Sequence, residues 1–235
     1  MRSYDEIAEW YADWVRNTSW AHPLIANYLP MLCGDVDGNQ VLDVACGEGI
    51  FSRLLAEHGA VVRGIDISGQ LIERAKGHAG GLSARVSFSV GDAQMLDGFE
   101  DHVFNGAICV MALMDIPDLQ AVYAATRRVV RDGGWFVFVI THPCFDSPHA
   151  EWLGDDPGGA RLVAHYLDEG PWHSHFTAGV RGKVGANHRT LSTYINEALA
   201  AGWSLEQMLE PAGGIPNQNP LIPRLLMARF CAAAP

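Results

Sequence analysis

Between residues 40 and 141, short apolar runs alternate with stretches in which apolar residues recur every three or four positions. The runs near 40–45, 61–66, 86–90, 104–110 and 134–141 predict strands, and the stretches between them predict helices. One helical stretch carries Phe51, Leu54 and Leu55 on a single face and stops at Gly59, and the next carries Leu71, Ile72 and Ala75. A third, over 118–130, opens at Pro117-Asp118 and spaces Leu119, Val122, Tyr123, Thr126, Val129 and Val130 helically. It gives way through Asp132-Gly133-Gly134 to the fifth strand. This alternation predicts a parallel sheet covered by helices on both faces, an α/β fold.

The flanks carry their own patterns. Ile7, Trp10, Tyr11, Trp14 and Val15 form one face of an N-terminal helix. Leu191, Ile195, Ala198 and Leu199 mark a late helix that ends at Gly202, followed by strand candidates at 203–209 and 224–232. The chain reads as one domain over 1–235, with a helical cap (1–30), a core (31–141), an insertion (142–188) and a closing helix with strands (189–235). The insertion lacks periodicity and holds six of the ten histidines. A long aperiodic segment inside a compact domain is commonly a lid, so 142–188 is the expected substrate-binding segment.

Composition narrows the partners. A net charge of −11 with only 16 Lys and Arg argues against nucleic acid and anionic membranes, which are bound largely through phosphate neutralisation. No apolar run approaches the ~20 residues of a membrane helix, and the first residues show no cationic head followed by an apolar stretch, so a cytoplasmic protein is expected. Five cysteines without a Cys-x-x-Cys pair predict reduced thiols, and His173 and His175 lack a third ligand, so no metal is expected. The oligomeric state stays open, a homodimer among the options.

The chemistry concentrates at Val41-Leu-Asp-Val-Ala-Cys-Gly-Glu-Gly49, an apolar strand running into a glycine turn ahead of a helix. Glycines permit close backbone approach, and a helix start offers unpaired N–H groups, so the turn suits a nucleotide-bearing cofactor. The third small position of a dinucleotide fingerprint is Ser52 here, permissible but atypical. Asp43, four residues before Gly47, adds nothing for a pyrophosphate but favours a cofactor with an amino group and a sulfonium cation. Asp66 ends the second strand, where a carboxylate accepts ribose hydroxyls, and Asp92 follows the third, within reach of an adenine amino group. Three acids at successive strand ends lie on the face where open α/β sheets bind ligands.

Through Asp43–Gly49, Asp66-Ile67-Ser68, Gly91-Asp92-Ala93 and Arg131–Trp135, the chain resembles the class I S-adenosylmethionine-dependent methyltransferases. The resemblance implies a doubly wound, mostly parallel seven-stranded Rossmann-like sheet with an antiparallel last strand, and S-adenosyl-L-methionine as cofactor. It implies that Ala45, Cys46, Gly47 and Gly49 meet the amino-acid end of the cofactor, that Asp66 binds the ribose and Asp92 the adenine, with Ile67, Leu71 and Ala93 beside them. It further implies that Cys109, Val110 and Met111 floor the methionine moiety and that Tyr11 covers its carboxylate. Thr141–Phe145, Asn187–Tyr194 and Ile222–Leu226 resemble bacterial small-molecule enzymes, including natural-product tailoring coumarin C-methyltransferases, which implies a phenolic or aromatic acceptor methylated on carbon or oxygen.

Such an acceptor must lose a proton, and a histidine near neutral pKa is the natural base, worth roughly 10²- to 10⁴-fold. His142, at the exit of the fifth strand, and His188, before the late helix, are the candidates. Trp152, Trp172 and Phe176 are candidate walls of an aromatic pocket, and Arg181 a candidate to orient an acidic or phenolate group. Two alternatives use the same sheet. An NAD(P)-dependent oxidoreductase is disfavoured by Asp43, the missing third glycine and the absence of a Tyr-x-x-x-Lys pair, whereas a non-catalytic cofactor-binding module is not excluded by any sequence feature.

Overall fold

The computed structural model of the protein describes residues 3–154, 159–213 and 219–233. Helices α1 (Tyr4–Asn17) and α2 (Ala21–Cys33) lead into β1 (Gln40–Val44), α3 (Ile50–Glu57), β2 (Val61–Asp66), α4 (Gly69–Gly77), β3 (Val86–Val90), β4 (Phe104–Val110), α5 (Leu119–Val129) and β5 (Val130–Thr141). The insertion contributes β6 (Ala150–Leu153), β7 (Ala160–Val163), β8 (Gly170–Trp172), α6 (Val180–Lys183) and β9 (Ala186–His188). The chain closes with α7 (Leu191–Ala200), β10 (Trp203–Leu209) and β11 (Leu225–Ala232).

The strands order as β10-β11-β5-β4-β1-β2-β3, with β1 to β5 parallel and β11 antiparallel to both neighbours. The expected seven-stranded sheet with its antiparallel last strand is therefore present. Burial on both faces explains the nearly continuous apolar strands. Along β5, Trp135, Val137 and Val139 face Ile25, Leu29, Leu55 and Ile72, while Phe136, Phe138 and Ile140 face Leu119, Val122, Tyr123 and Tyr194. Each such side chain stabilises the fold by roughly 1.5–3 kcal/mol through burial. Helix starts are fixed by side-chain caps: Ser68 accepts the Leu71 N–H, Asp118 that of Ala121, and Thr190 that of Thr193. The chain passes from β1 outward to β3 and returns on the other side of β1 with β4, which opens a crevice at the carboxyl ends of β1 and β4.

Three expectations need correction. The insertion is not irregular: β6 pairs with β7 and β8 with β9 as antiparallel hairpins, whose strands of three or four residues are too short to show alternation. Residues 155–158 of that segment lie outside the described residues. The helical cap is α1 alone, because Ile25, Leu29 and Leu32 of α2 pack against the sheet. Finally, β5 begins at Val130, which pairs with Phe104, and Asp132-Gly133-Gly134 is absorbed as a register irregularity instead of a separate turn. Among the described residues no helix is long and apolar enough to cross a membrane.

Candidate active site

The turn after β1 is built on left-handed backbone. Ala45, Gly47 and Gly49 have φ of 57°, 56° and 74°, the region that disfavours a Cβ. Ala45 is strained there, as is Met111 (φ 57°) at the end of β4, and both border the crevice, where such strain commonly accumulates. Gly49 serves packing: a Cβ on it would lie 2.5 Å from the Phe88 ring.

A cavity of about 260 Å³ occupies the crevice. Tyr11, Ala45, Cys46, Gly47, Asp66, Ile67, Leu71, Asp92, Ala93, Val110 and Met111 line it, so the structure gathers these predicted residues around one space. Asp66 is the best-arranged of them. One carboxylate oxygen accepts the Gly47 N–H and the other the Ser68 N–H, each at 2.9 Å, which leaves each oxygen a further lone pair for a hydroxyl of a cis-diol. Burial raises its pKa, and the two backbone donors pull it back. Asp92 accepts from the Gln94 N–H at 2.8 Å and from the Gln94 amide. The first helix closes this end of the cavity, since Asp5 accepts from the Ser68 hydroxyl at 2.5 Å and from the Gln70 N–H at 3.1 Å.

Three predicted members stand elsewhere. Asp43 does not line the cavity; it is buried behind the turn, where its carboxylate accepts from the Ser52 hydroxyl at 2.5 Å. With no cation beside it, burial pushes its pKa up to about 7. Gly49 packs under the turn, and Cys109 points into the core, because β4 alternates and only its last residue, Val110, followed by Met111, reaches the crevice.

A second cavity, about 620 Å³, lies between α1, the start of α2 and the insertion. Trp14, Trp20, Trp172, Phe176, Arg181, His188, Arg189 and Tyr194 contribute to its wall. Tyr4, Tyr11, His22, Met111 and Ala186 border both cavities. Among the predicted substrate residues, Trp152 is the exception: it does not line either cavity and instead stacks on Arg161, whose guanidinium carbon is 5.1 Å from its ring centre.

The two base candidates separate. His142 is buried, its Nε2 lies 2.6 Å from Glu210 Oε1 and its Nδ1 accepts the Cys144 N–H. Both nitrogens of the neutral ring are occupied, burial lowers its pKa against the pull of Glu210, and the ring lines neither cavity, so the contacts of His142 are structural ones at the strand exit. His188 lines the second cavity and places Nε2 2.8 Å from the Tyr166 carbonyl. A carbonyl only accepts, so Nε2 carries the proton and Nδ1 keeps its lone pair in the neutral ring.

Arg181 is held by structure before any ligand arrives. Its guanidinium donates to Asp115, which also accepts from the Tyr4 hydroxyl at 2.9 Å, so lid, β4–α5 loop and α1 are latched at one carboxylate. Burial opposes the charge on Arg181, and Asp115 more than offsets it, so the guanidinium stays protonated. Ile7 packs on Val180 and Val184 beside the latch.

Nothing in the sequence pattern singles out His22. It sits in the first turn of α2, stacked on Phe51 with ring centres 5.5 Å apart, with Nδ1 2.6 Å from the Ser19 hydroxyl. Burial without an acidic partner pushes its pKa down to about 4.

Residues 42–138 match the family model described as a methyltransferase domain. The ubiquinone biosynthesis O-methyltransferase of Shewanella sp. (strain ANA-3) is 33% identical over 120 residues, 51% of this chain and 50% of that protein. The protein of the same name from Coxiella burnetii (strain Dugway 5J108-111) is 35% identical over 101 residues, 43% of each chain. The chain thus spans about half the length of the curated relatives it matches. Among solved structures, a Listeria monocytogenes protein assigned to the S-adenosylmethionine-dependent methyltransferases superposes with a TM-score of 0.75 at 26% identity, covering 90% of this chain and 100% of that one. A Mesorhizobium loti S-adenosylmethionine-dependent methyltransferase shares the fold with a TM-score of 0.74 at 24% identity, covering 90% and 99%.

Proposed function

Because this chain carries a class I S-adenosylmethionine-dependent methyltransferase domain, we propose that it methylates an oxygen of a small aromatic acceptor, with His188 taking the acceptor's proton. The observation that carries this reading is the pair of cavities that meet at Tyr4, Tyr11, His22, Met111 and Ala186, one suited to a nucleoside and one walled by tryptophans.

S-adenosylmethionine is the cofactor of the domain, and the first cavity fits it. Asp66 keeps two lone pairs for the ribose hydroxyls, the glycine turn lets a polar chain approach the backbone, and Ile67, Leu71 and Ala93 supply apolar surface for a purine. When bound, the cofactor supplies an electrophilic methyl on a sulfonium, with neutral sulfur as leaving group.

The protein's own task is alignment and exclusion of water, which can remove ~7–11 kcal/mol of barrier. The latch of Arg181, Asp115 and Tyr4 holds α1 and the lid over the point where the cavities meet. Trp14, Trp20 and Trp172 contribute apolar wall against which an aromatic ring can pack. His188 has its tautomer fixed by Tyr166 with Nδ1 in lone-pair form, the state a base needs. Oxygen is favoured as the accepting atom by the relatives named for O-methyl transfer.

The test is transfer of labelled methyl to a panel of phenols, dihydroxybenzenes and hydroxycoumarins, with calorimetry of S-adenosylhomocysteine binding. His188→Gln should lower kcat by roughly 10²-fold or more with product affinity unchanged, and Asp66→Ala should abolish most product binding. Full activity in His188→Gln refutes the base. Methyl transfer to none of the panel, despite bound product, refutes the acceptor class.

A further inference from the structure

Methyl must travel from the first cavity to the second, so the residues bordering both face the transfer path. Of the five, Met111 and Ala186 offer no side-chain N–H or O–H. The Tyr4 hydroxyl is committed to Asp115. Tyr11 and His22 remain, and His22 alone brings a ring nitrogen, with the Ser19 hydroxyl, a group able to donate to Nδ1, at 2.6 Å. Its Nε2 makes no hydrogen bond among the described residues, and its ring plane is fixed to within 10° of parallel with Phe51.

We propose that His22 touches the acceptor at the reacting oxygen and, with Ser19 donating to Nδ1, donates its Nε2–H to that oxygen as it gives up its proton. The inference rests on the small-acceptor reading above. In the balanced step the acceptor O–H proton passes to His188 Nδ1, an oxygen pair forms the O–CH3 bond, and the C–S pair stays on sulfur. His22 gains and loses nothing. A donor that stays neutral suits its surroundings: the first turn of α2 carries the positive end of the helix dipole, and burial disfavours a cation there, so a charge-storing role is unsuited to this ring. The same arrangement lowers the energy of a developing phenolate, because a fixed donor in a water-poor site stabilises charge without reorganising.

The experiment uses 4-nitrophenol as a probe in the S-adenosylhomocysteine complex, its phenolate read by absorbance across pH, alongside kcat on the phenol panel. In wild type the bound phenol should ionise at lower pH than the free one. His22→Phe, which preserves the stack on Phe51, should move that ionisation back toward the free value and lower kcat roughly 10²-fold, with S-adenosylhomocysteine affinity unchanged. His22→Gln, which places an amide N–H near the Nε2 position, should restore part of both. Ser19→Ala leaves the ring in place and should lose several-fold in kcat with the same direction of titration shift, so the test survives a poorly folded His22→Phe.

Wild-type titration and kcat in both His22→Phe and Ser19→Ala overturn the proposal, as does an equal loss in His22→Phe and His22→Gln, which marks a packing role. A loss confined to His188→Gln sinks this inference and leaves the base assignment standing. Failure of wild type to bind 4-nitrophenol overturns the acceptor reading, and the role of His22 with it.

Discussion

Replacing Asp43 by Asn tests where this acid stands. In the folded protein its pKa lies at about 7 instead of 3.8, chiefly because burial penalises the carboxylate. At about 1.4 kcal/mol per pH unit, holding it ionised at pH 8 costs roughly 4 kcal/mol relative to the unfolded chain. A raised folded pKa means that the native state binds the extra proton between about pH 4 and 7, so this contribution to stability is full below the unfolded value and is lost as pH rises through 7. Asparagine has no charge to bury, but its amide brings donors where Ser52 already donates, a penalty of about 1–3 kcal/mol. Asp43→Asn should therefore match or fall below wild type at pH 5 and exceed it by about 1–3 kcal/mol at pH 8. Urea denaturation of both proteins at the two pH values measures the difference, and the other acids cancel because they are common to both. Calorimetry should show S-adenosylhomocysteine affinity within a few-fold of wild type, since Asp43 does not line the cavity. Equal pH slopes would refute the charge argument, and a loss of binding beyond tenfold would refute the placement.

Gly49→Ala forces a Cβ to within 2.5 Å of Phe88 at a φ of 74°, so thermal denaturation should show a loss of about 1–3 kcal/mol; an unchanged Tm would contradict the packing. Arg181→Met strands Asp115 in the interior, with an expected loss of about 3–5 kcal/mol and faster proteolysis within 173–185. Adding Asp115→Asn should recover part of the stability, and no recovery would argue against the latch.

The sheet was legible because its strands are buried on both faces and its helices on one, which prints continuous apolar runs for the first and a spacing of three or four for the second. The place of Asp66 at the crevice was legible too, because a strand-end acid followed by a Ser cap has a restricted geometry. Asp43 was not, since one position along β1 decides whether a side chain faces the crevice or the underside of the turn, and the turn's left-handed course is invisible in residue type. His142 and His188 look alike as loop histidines; only their partners, Glu210 and the Tyr166 carbonyl, separate them, and those contacts join residues 68 and 22 positions apart. The place of His22 was hidden because the two cavities it borders are assembled from segments far apart in the chain. Trp152 and Trp172 fall on different hairpins, too short to announce which way each faces.

The link between Asp5 and Ser68 has a consequence for the resting enzyme. Ser68 stands two residues from Asp66, donates its N–H to that carboxylate, and gives its hydroxyl to the first helix. The nucleoside end of the crevice and the docking of residues 4–17 therefore share one hydrogen-bonded point, and by thermodynamic reciprocity any effect of one on the other is returned in equal measure. The setting of the Asp66 carboxylate is thus partly a property of Asp5, sixty-one residues upstream on the first helix. The same helix borders both compartments through Tyr4 and Tyr11, so a shift in its docking reaches the two together.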